Sequence, residues 1–303
     1  MMEYRQLGKD GPQVPVLGLG AWPIGGGMGR MDDRAAVDLI RFAIDAGVTL
    51  IDTAQGYRTS ESMLGKALCD GYRERCFLAT KVTGDFSPQG IQRAMEASLR
   101  ALQVEYVDLN QIHYWDSRYP IAESMEAMSR LQEQGKTRFI GVSNFSAGQM
   151  RQALQAARFQ SNQPGYNLFE REIEAEDIAF CEQEGIGILA HSPLAKGLLT
   201  GKYAPGYRFP ADDERSSLPR FQGETFNRSL EAAGALQAAA EEKGLSLVQL
   251  AIAWILRLPA VTCVLVGAKN PQQVQEHLGA VGVRLAPEEL ARIEAILSEQ
   301  DER

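Results

Sequence analysis

The chain has 303 residues, 45% hydrophobic and 23% charged, with a formal net charge of −8. These are the proportions of a globular chain long enough to bury a core without metal or disulfide support. The acidic balance argues against a nucleic-acid surface, and no apolar run approaches the roughly 20 residues that span a bilayer, so neither nucleic acid nor membrane is an expected partner.

In chain order, YRQLGKDGPQVP predicts a small hairpin turning at Asp10 and Gly11. Val16 to Gly20 predicts a strand. The helix that follows, DDRAAVDLIRFAIDAG, has apolar residues at three-to-four spacing, Asp32 or Asp33 as cap and Gly47 as stop. The alternation then repeats. VTLID, CFLATK, VDLNQIH, TRFIGVSN, FQSNQ and IGILAHS read as strands. The helices after the first five of these are SESMLGKALCD, Pro88 to Leu102, Ile121 to Gln134, Ala147 to Ala157 and Ala175 to Glu184. A long irregular stretch from Pro193 to about Gln222 precedes helices at Asn227 to Lys243 and Leu247 to Leu258. The last strand is VTCVLVG, the last crossover helix Pro271 to Ala280, and PEELARIEAILSEQ is an added amphipathic helix.

Eight strand–helix units predict an α/β fold, a closed (β/α)8 TIM barrel formed by residues 1–303 as one domain, with the hairpin plugging its floor. The alternative, a doubly wound open sheet, needs a glycine-rich phosphate turn after the first strand. In GLGAWP, Pro23 stands where the third glycine belongs. The cysteines Cys69, Cys76, Cys181 and Cys263 form no CxxC pair and read as buried thiols of a reducing compartment. The opening MMEYRQLGKDG has no apolar leader run, which makes the cytoplasm the expected location.

In such barrels the C-terminal strand ends carry the chemistry. Here they are Asp52, Lys81, His113, Ser143 with Asn144, Asn162 with Gln163, His191 with Ser192, and Gly267 followed by Lys269. A half-buried Lys81 must be paired or lose its charge, and Asp52 is the obvious partner. Tyr57 lies in the loop after Asp52. A phenol, with an ordinary pKa near 10, needs a nearby cation to act as an acid at neutral pH. Proton donation to a carbonyl oxygen fits, with His113 hydrogen-bonding the oxygen and a cofactor supplying the hydride. A Schiff-base lyase using Lys81 is a rival reading, and so is a cofactor-binding regulatory barrel that turns over slowly. The three histidines form no HxH or HExxH pair, so no metal site is expected.

The segments LIDTAQGYRTSESMLGKAL, FLATKV, VDLNQIHYWD, GKTRFIGVSNFS, SNQPGYN, HSPLAKGLLTGKY and VGAKNPQQVQEHLGA, in this order, resemble the aldo-keto reductase superfamily across nearly the whole chain. The resemblance implies NADPH-dependent carbonyl reduction with a catalytic set of Asp52, Tyr57, Lys81 and His113. Ser143, Asn144 and Gln163 would meet the nicotinamide carboxamide, and His191 would stack on the ring. Ser192, Pro193, Leu194, Gly197, Leu198 and Lys202 would line the pyrophosphate, with Arg215 gripping it. Lys269 would approach the 2′-phosphate, and Gln273, Glu276 and His277 the adenosine. Gly20, Ala21, Gly267 and Ala268 complete the expected cofactor set. Trp22, which belongs to that set too, would also wall the substrate pocket with Tyr57, His113 and Tyr114. The partner implied is a small carbonyl compound, and the chain a monomer or weak homo-oligomer. Specificity is expected from loops at Gly25 to Met31, Tyr114 to Tyr119 and Ala204 to Gln222. The chain departs from the family at His191, where an aromatic, often Tyr, is usual, and at His277, where Asn is usual. Imidazole offers less stacking area and a charge that can vary with pH. Arg58, where glycine is common, reads as a solvated surface arginine.

Overall fold

The computed structural model describes residues 1–210 and 213–301; residues 211 and 212 of the expected specificity loop lie outside this description. Strands β1 (Tyr4–Gln6) and β2 (Gln13–Pro15) pair as an antiparallel hairpin. Among the described residues, eight parallel strands close into a barrel. They are β3 (Leu17–Gly20), β4 (Leu50–Asp52), β5 (Phe77–Val82), β6 (Val107–Ile112), β7 (Thr137–Ser143), β8 (Ser161–Gln163), β9 (Gly187–Ala190) and β10 (Val261–Val266). β10 pairs with β3 to complete the ring, so the barrel itself has no free strand edge.

Helices α1 (Asp33–Asp45), α2 (Ser60–Ala67), α3 (Pro88–Leu102), α4 (Ile121–Glu133), α5 (Ala147–Ala156) and α6 (Asp177–Glu184) follow β3 to β8 in turn. After β9 come α7 (Gly223–Glu242) and α8 (Leu247–Leu256), and after β10 come α9 (Pro271–Leu278) and α10 (Pro287–Asp301). Local chemistry sets where they begin. Asp32 accepts from the backbone N–H groups of Arg34 and Ala35, and Ser87 accepts from Gly90 ahead of α3. Ser146 with Gln149, and Ser246 with Gln249, form reciprocal capping boxes on α5 and α8. The stretch from Pro193 to Gln222 contains short 3-10 turns at Ala195–Thr200, Glu214–Ser216 and Pro219–Phe221. α7 begins at Gly223 rather than Asn227. Cys76, Cys181 and Cys263 are buried as expected, but Cys69 is exposed at the end of the α2 turn.

Two apolar layers hold the barrel. The larger lies between strands and helices, where Trp254, Phe159, Leu39 and Met125 are fully enclosed. The smaller fills the barrel interior with Leu50, Ala79, Leu109, Leu189, Cys263 and Leu265. Leu7 and Val14 of the hairpin region join this inner group and close the floor. Side chains two residues apart on a strand share a face, about 6.6 Å further along. Stepping two residues up from Leu50, Ala79, Leu109 and Leu189 reaches Asp52, Lys81, Gln111 and His191. An apolar floor thus gives way to a polar layer at the open end. Among the described residues, no helix is long and apolar enough to cross a membrane.

Candidate active site

The polar layer is a connected network. Lys81, only 1% exposed, donates from Nζ to Asp52 Oδ1, to the Thr53 carbonyl at 2.9 Å and to the Tyr57 hydroxyl at 3.4 Å. The second Asp52 oxygen accepts from Gln163 Nε2 at 2.9 Å and Gln111 Nε2 at 3.2 Å. Burial acts to deprotonate Lys81, but the Asp52 carboxylate, the Tyr57 hydroxyl and their hydrogen bonds outweigh it and raise its pKa. The ammonium therefore stays charged and engaged. It has no free lone pair to attack a carbonyl, which counts against a Schiff-base reaction.

Tyr57 reaches this layer from the β4–α2 loop. Its ring packs edge-on against Trp22 at 4.9 Å and His113 at 5.6 Å between centroids, with Lys81 Nζ 4.8 Å from its own centroid. His113 Nδ1 shares a 2.9 Å hydrogen bond with Thr83 Oγ1. Burial, the Lys81 ammonium and His191 push the His113 pKa down to about 3. His191 is likewise lowered to about 3, by burial first and then by Lys81 and Lys196. Both imidazoles are neutral near pH 7, so His191 does not carry the pH-variable charge expected of it.

His191 is held by its edges, Nδ1 to Ser192 Oγ and Nε2 to Asn144 Oδ1, both at 2.9 Å. Its ring lies against Gly165, where a Cβ would come within 3.3 Å. Asn144, at φ 57°, donates from Nδ2 to the His113 carbonyl and to Ser143 Oγ, each at 3.0 Å. Its oxygen is thereby turned toward His191, which fixes the His191 proton on Nε2.

A cavity of about 690 Å³ runs from these residues across the strand ends. Its wall includes Gly20, Trp22, Asp52, Tyr57, His113, Gln163 and His191 at one end. Ser192, Pro193, Leu194, Gly197, Lys202, Arg215, Gly267, Ala268, Lys269, Gln273, Glu276 and His277 line the rest. Several expected residues stand off the wall. Ala21 is buried, with its N–H on the Asp52 carbonyl and its carbonyl accepting from Ser60. Leu198 points into the core. Ser143 is enclosed and donates to the Gln163 carbonyl at 2.8 Å, and Asn144, an exposed residue, meets the edge of His191 without lining the cavity. Tyr114 is 38% exposed and packs on Phe86. Gln163 reaches the cavity, but its amide N–H groups serve Asp52 and Gln111. Arg58 ties the neighbouring glycine loop by donating to the Gly26 carbonyl at 3.1 Å.

The far end is cationic. Left-handed backbone at Ser192, Ala195, Lys196 and Gly197 curls the chain around it. At Gly197 the backbone φ of 101° favours glycine, and a side chain would also stand a tight 3.3 Å from the Tyr203 hydroxyl. Arg215 is fixed by Asp213, the Lys196 carbonyl at 3.1 Å and the Tyr203 hydroxyl at 2.7 Å. Lys202 and Lys269 are both lowered, first by burial and then by their cationic neighbours, Arg215 for each and Lys269 also for Lys202. An anion bound here would offset the repulsion among these cations. Lys269 Nζ meanwhile donates to the Met28 carbonyl across the cavity mouth. His277, lowered to about 4 by burial, closes this end. Among the described residues, no group of His, Cys, Asp and Glu could hold a metal ion.

Gln111, Thr83 and Lys196 belong to the site and escape a reading confined to the last polar residue of each strand. Gln111 was accessible through the period of two, since it faces inward between Leu109 and His113.

The aldo/keto reductase family model matches residues 16–298. The chain is 39% identical to aldo-keto reductase YhdN of Bacillus subtilis, over 98% of this chain and 94% of that protein. It superposes with a TM-score of 0.89 on the glycerol dehydrogenase AKR11B4 of Gluconobacter oxydans, 37% identical, covering 98% of this chain and 95% of that one. A third relative is aldo-keto reductase AKR11C1 of Bacillus halodurans in its holo form, with a TM-score of 0.82 and 27% identity over 98% and 96% of the two chains. With its barrel, its strand-end polar layer and these relatives, the chain belongs to the aldo/keto reductase family and is a carbonyl-reducing oxidoreductase.

Proposed function

We propose that this enzyme uses NADPH to reduce aldehydes or ketones to alcohols, with Tyr57 as the proton donor. The observation that carries the reading is the Lys81 ammonium, locked by Asp52 and 3.4 Å from the Tyr57 hydroxyl. A carbonyl oxygen lying between Tyr57 and His113 would receive the phenolic proton as its carbon accepts a hydride, and solvent would reprotonate the phenolate. When bound, the nicotinamide cofactor supplies that hydride. Lys81 and Asp52 keep a fixed positive charge where the phenolate forms, with no reorganisation at the moment of reaction. Trp22 and Met28 also line the cavity.

The long cavity and its cationic end support a dinucleotide. Lys202, Arg215 and Lys269 fit phosphates, and Lys269 supports the 2′-phosphate of NADPH. Loss of Lys269 in Lys269→Met is expected to raise the NADPH Kd by about ten- to a hundredfold while leaving NADH little changed. Fluorescence quenching measures both constants, and equal constants for the two cofactors in the unmodified enzyme would remove the NADPH preference. For the chemistry, NADPH oxidation with 4-nitrobenzaldehyde should drop by at least about a hundredfold in Tyr57→Phe. Turnover unchanged in that variant overturns the proton-donor role.

A further inference from the structure

Thr83 lies one step past β5 and has no part in the function described so far. Its hydroxyl stands 2.9 Å from His113 Nδ1. Among the described residues, the hydroxyl reaches no other acceptor. Its position is well fixed. The backbone N–H donates to Gln55 Oε1 at 3.3 Å, and the side chain fits against Gly56, where a Cβ would come 3.1 Å from Thr83 Cγ2 and 3.2 Å from Oγ1. Threonine is stiff at its first side-chain torsion, so this packing aims the hydroxyl. The backbone that carries the ring is held too, because the His113 backbone N–H donates to the Val82 carbonyl at 3.2 Å and its carbonyl accepts from Asn144, while the ring itself packs edge-on against Tyr57.

A neutral imidazole carries one proton, and the partner of one nitrogen decides which nitrogen has it. If Nδ1 held the proton, the Nε2 lone pair would face the cavity and repel a carbonyl oxygen. If Thr83 donates to Nδ1, Nε2–H faces the cavity and can donate. We propose that Thr83 is a positioning residue that donates its hydroxyl proton to His113 Nδ1 and thereby sets the Nε2–H tautomer needed to bind a substrate oxygen. The catalytic consequence rests on the function proposed above, whereas the tautomer itself does not.

Long-range proton–nitrogen NMR of the uniformly 15N-labelled full chain, without cofactor or substrate, tests this. Three histidines give a short spectrum, and His113→Asn identifies the signals of His113. The expected result is an unprotonated Nδ1 and a protonated Nε2. In Thr83→Val, which keeps the shape and removes the hydroxyl, the tautomer should shift toward Nδ1–H. Turnover should fall about tenfold, the loss of one hydrogen bond, with the NADPH Kd unchanged. Thr83→Ser should restore both. A protonated Nδ1 in the unmodified chain, or an unaltered tautomer in Thr83→Val, overturns the proposal. A chain that shows the Nε2–H tautomer yet reduces no carbonyl counts against the proposed function while leaving the Thr83 pairing intact.

Discussion

Asp52 accepts hydrogen bonds from three side chains at once, Lys81, Gln111 and Gln163. A carboxylate 2% exposed needs that many donors to replace its water. The three donors are not equal. Removing Asp52 leaves a buried ammonium without its counter-charge, so Asp52→Ala should cost about 3–5 kcal/mol. Gln111→Leu removes one neutral donor and should cost about 1–3 kcal/mol. Urea unfolding midpoints of the two variants give the ranking, and an equal cost would mean that Lys81 finds another partner. At this scale the sequence was readable where chemistry coincided with the end of a strand, as for Asp52, Lys81 and His113. It was less readable one step away. Gln111 lies inside a strand, and Thr83 looks like an ordinary loop threonine until the fold sets His113 beside it. Likewise Ser143 and Asn144 stand where strand β7 ends, but their hydrogen bonds turn inward to Gln163 and His191, and only three-dimensional packing reveals that.

The strands and most helices were legible because each buries one face with a regular period, and side-chain caps mark several starts. The failures are at elements without such a signal. α7 begins at Gly223, φ 50°, with no side-chain cap, four residues ahead of the expected Asn227. The short 3-10 turns after β9 rest on tertiary partners, among them the Lys196–Glu214 ion pair at 2.8 Å and the aromatic packing of Tyr203, Phe209, Phe221 and Phe226. No local periodicity encodes such contacts. The hairpin acts on the opposite end of the barrel from the site. Leu7 is fully buried in the inner apolar group, so Leu7→Ala should cost about 2–5 kcal/mol through the cavity it leaves. Thermal unfolding checks the loss. Cofactor affinity in the same variant should be unchanged, because Leu7 does not line the cavity; a weakened affinity would mean that the floor and the site are mechanically coupled.

For the whole molecule, the three neutral imidazoles tie folding to acidity. His113 and His191 are lowered to about 3 and His277 to about 4, each mainly by burial, while an unfolded chain titrates near the ordinary 6.5. Below that value the unfolded chain binds protons that the folded one refuses. The stability from these groups is therefore complete above about pH 6.5 and is lost as pH falls toward 3, with a slope of up to about 1.4 kcal/mol per pH unit for each imidazole. Urea midpoints should decline from pH 7 to 5, and a flat profile would mean that these rings are solvated. The barrel also has a sealed bottom, closed by Leu7 and Val14, and its strands leave no open seam. Among the described residues it is a vessel with a single mouth. A ligand resting deepest, beside Lys81, would be covered by anything seated above it. Exchange of ligands is then expected to follow a last-in, first-out order, which product-inhibition kinetics would check.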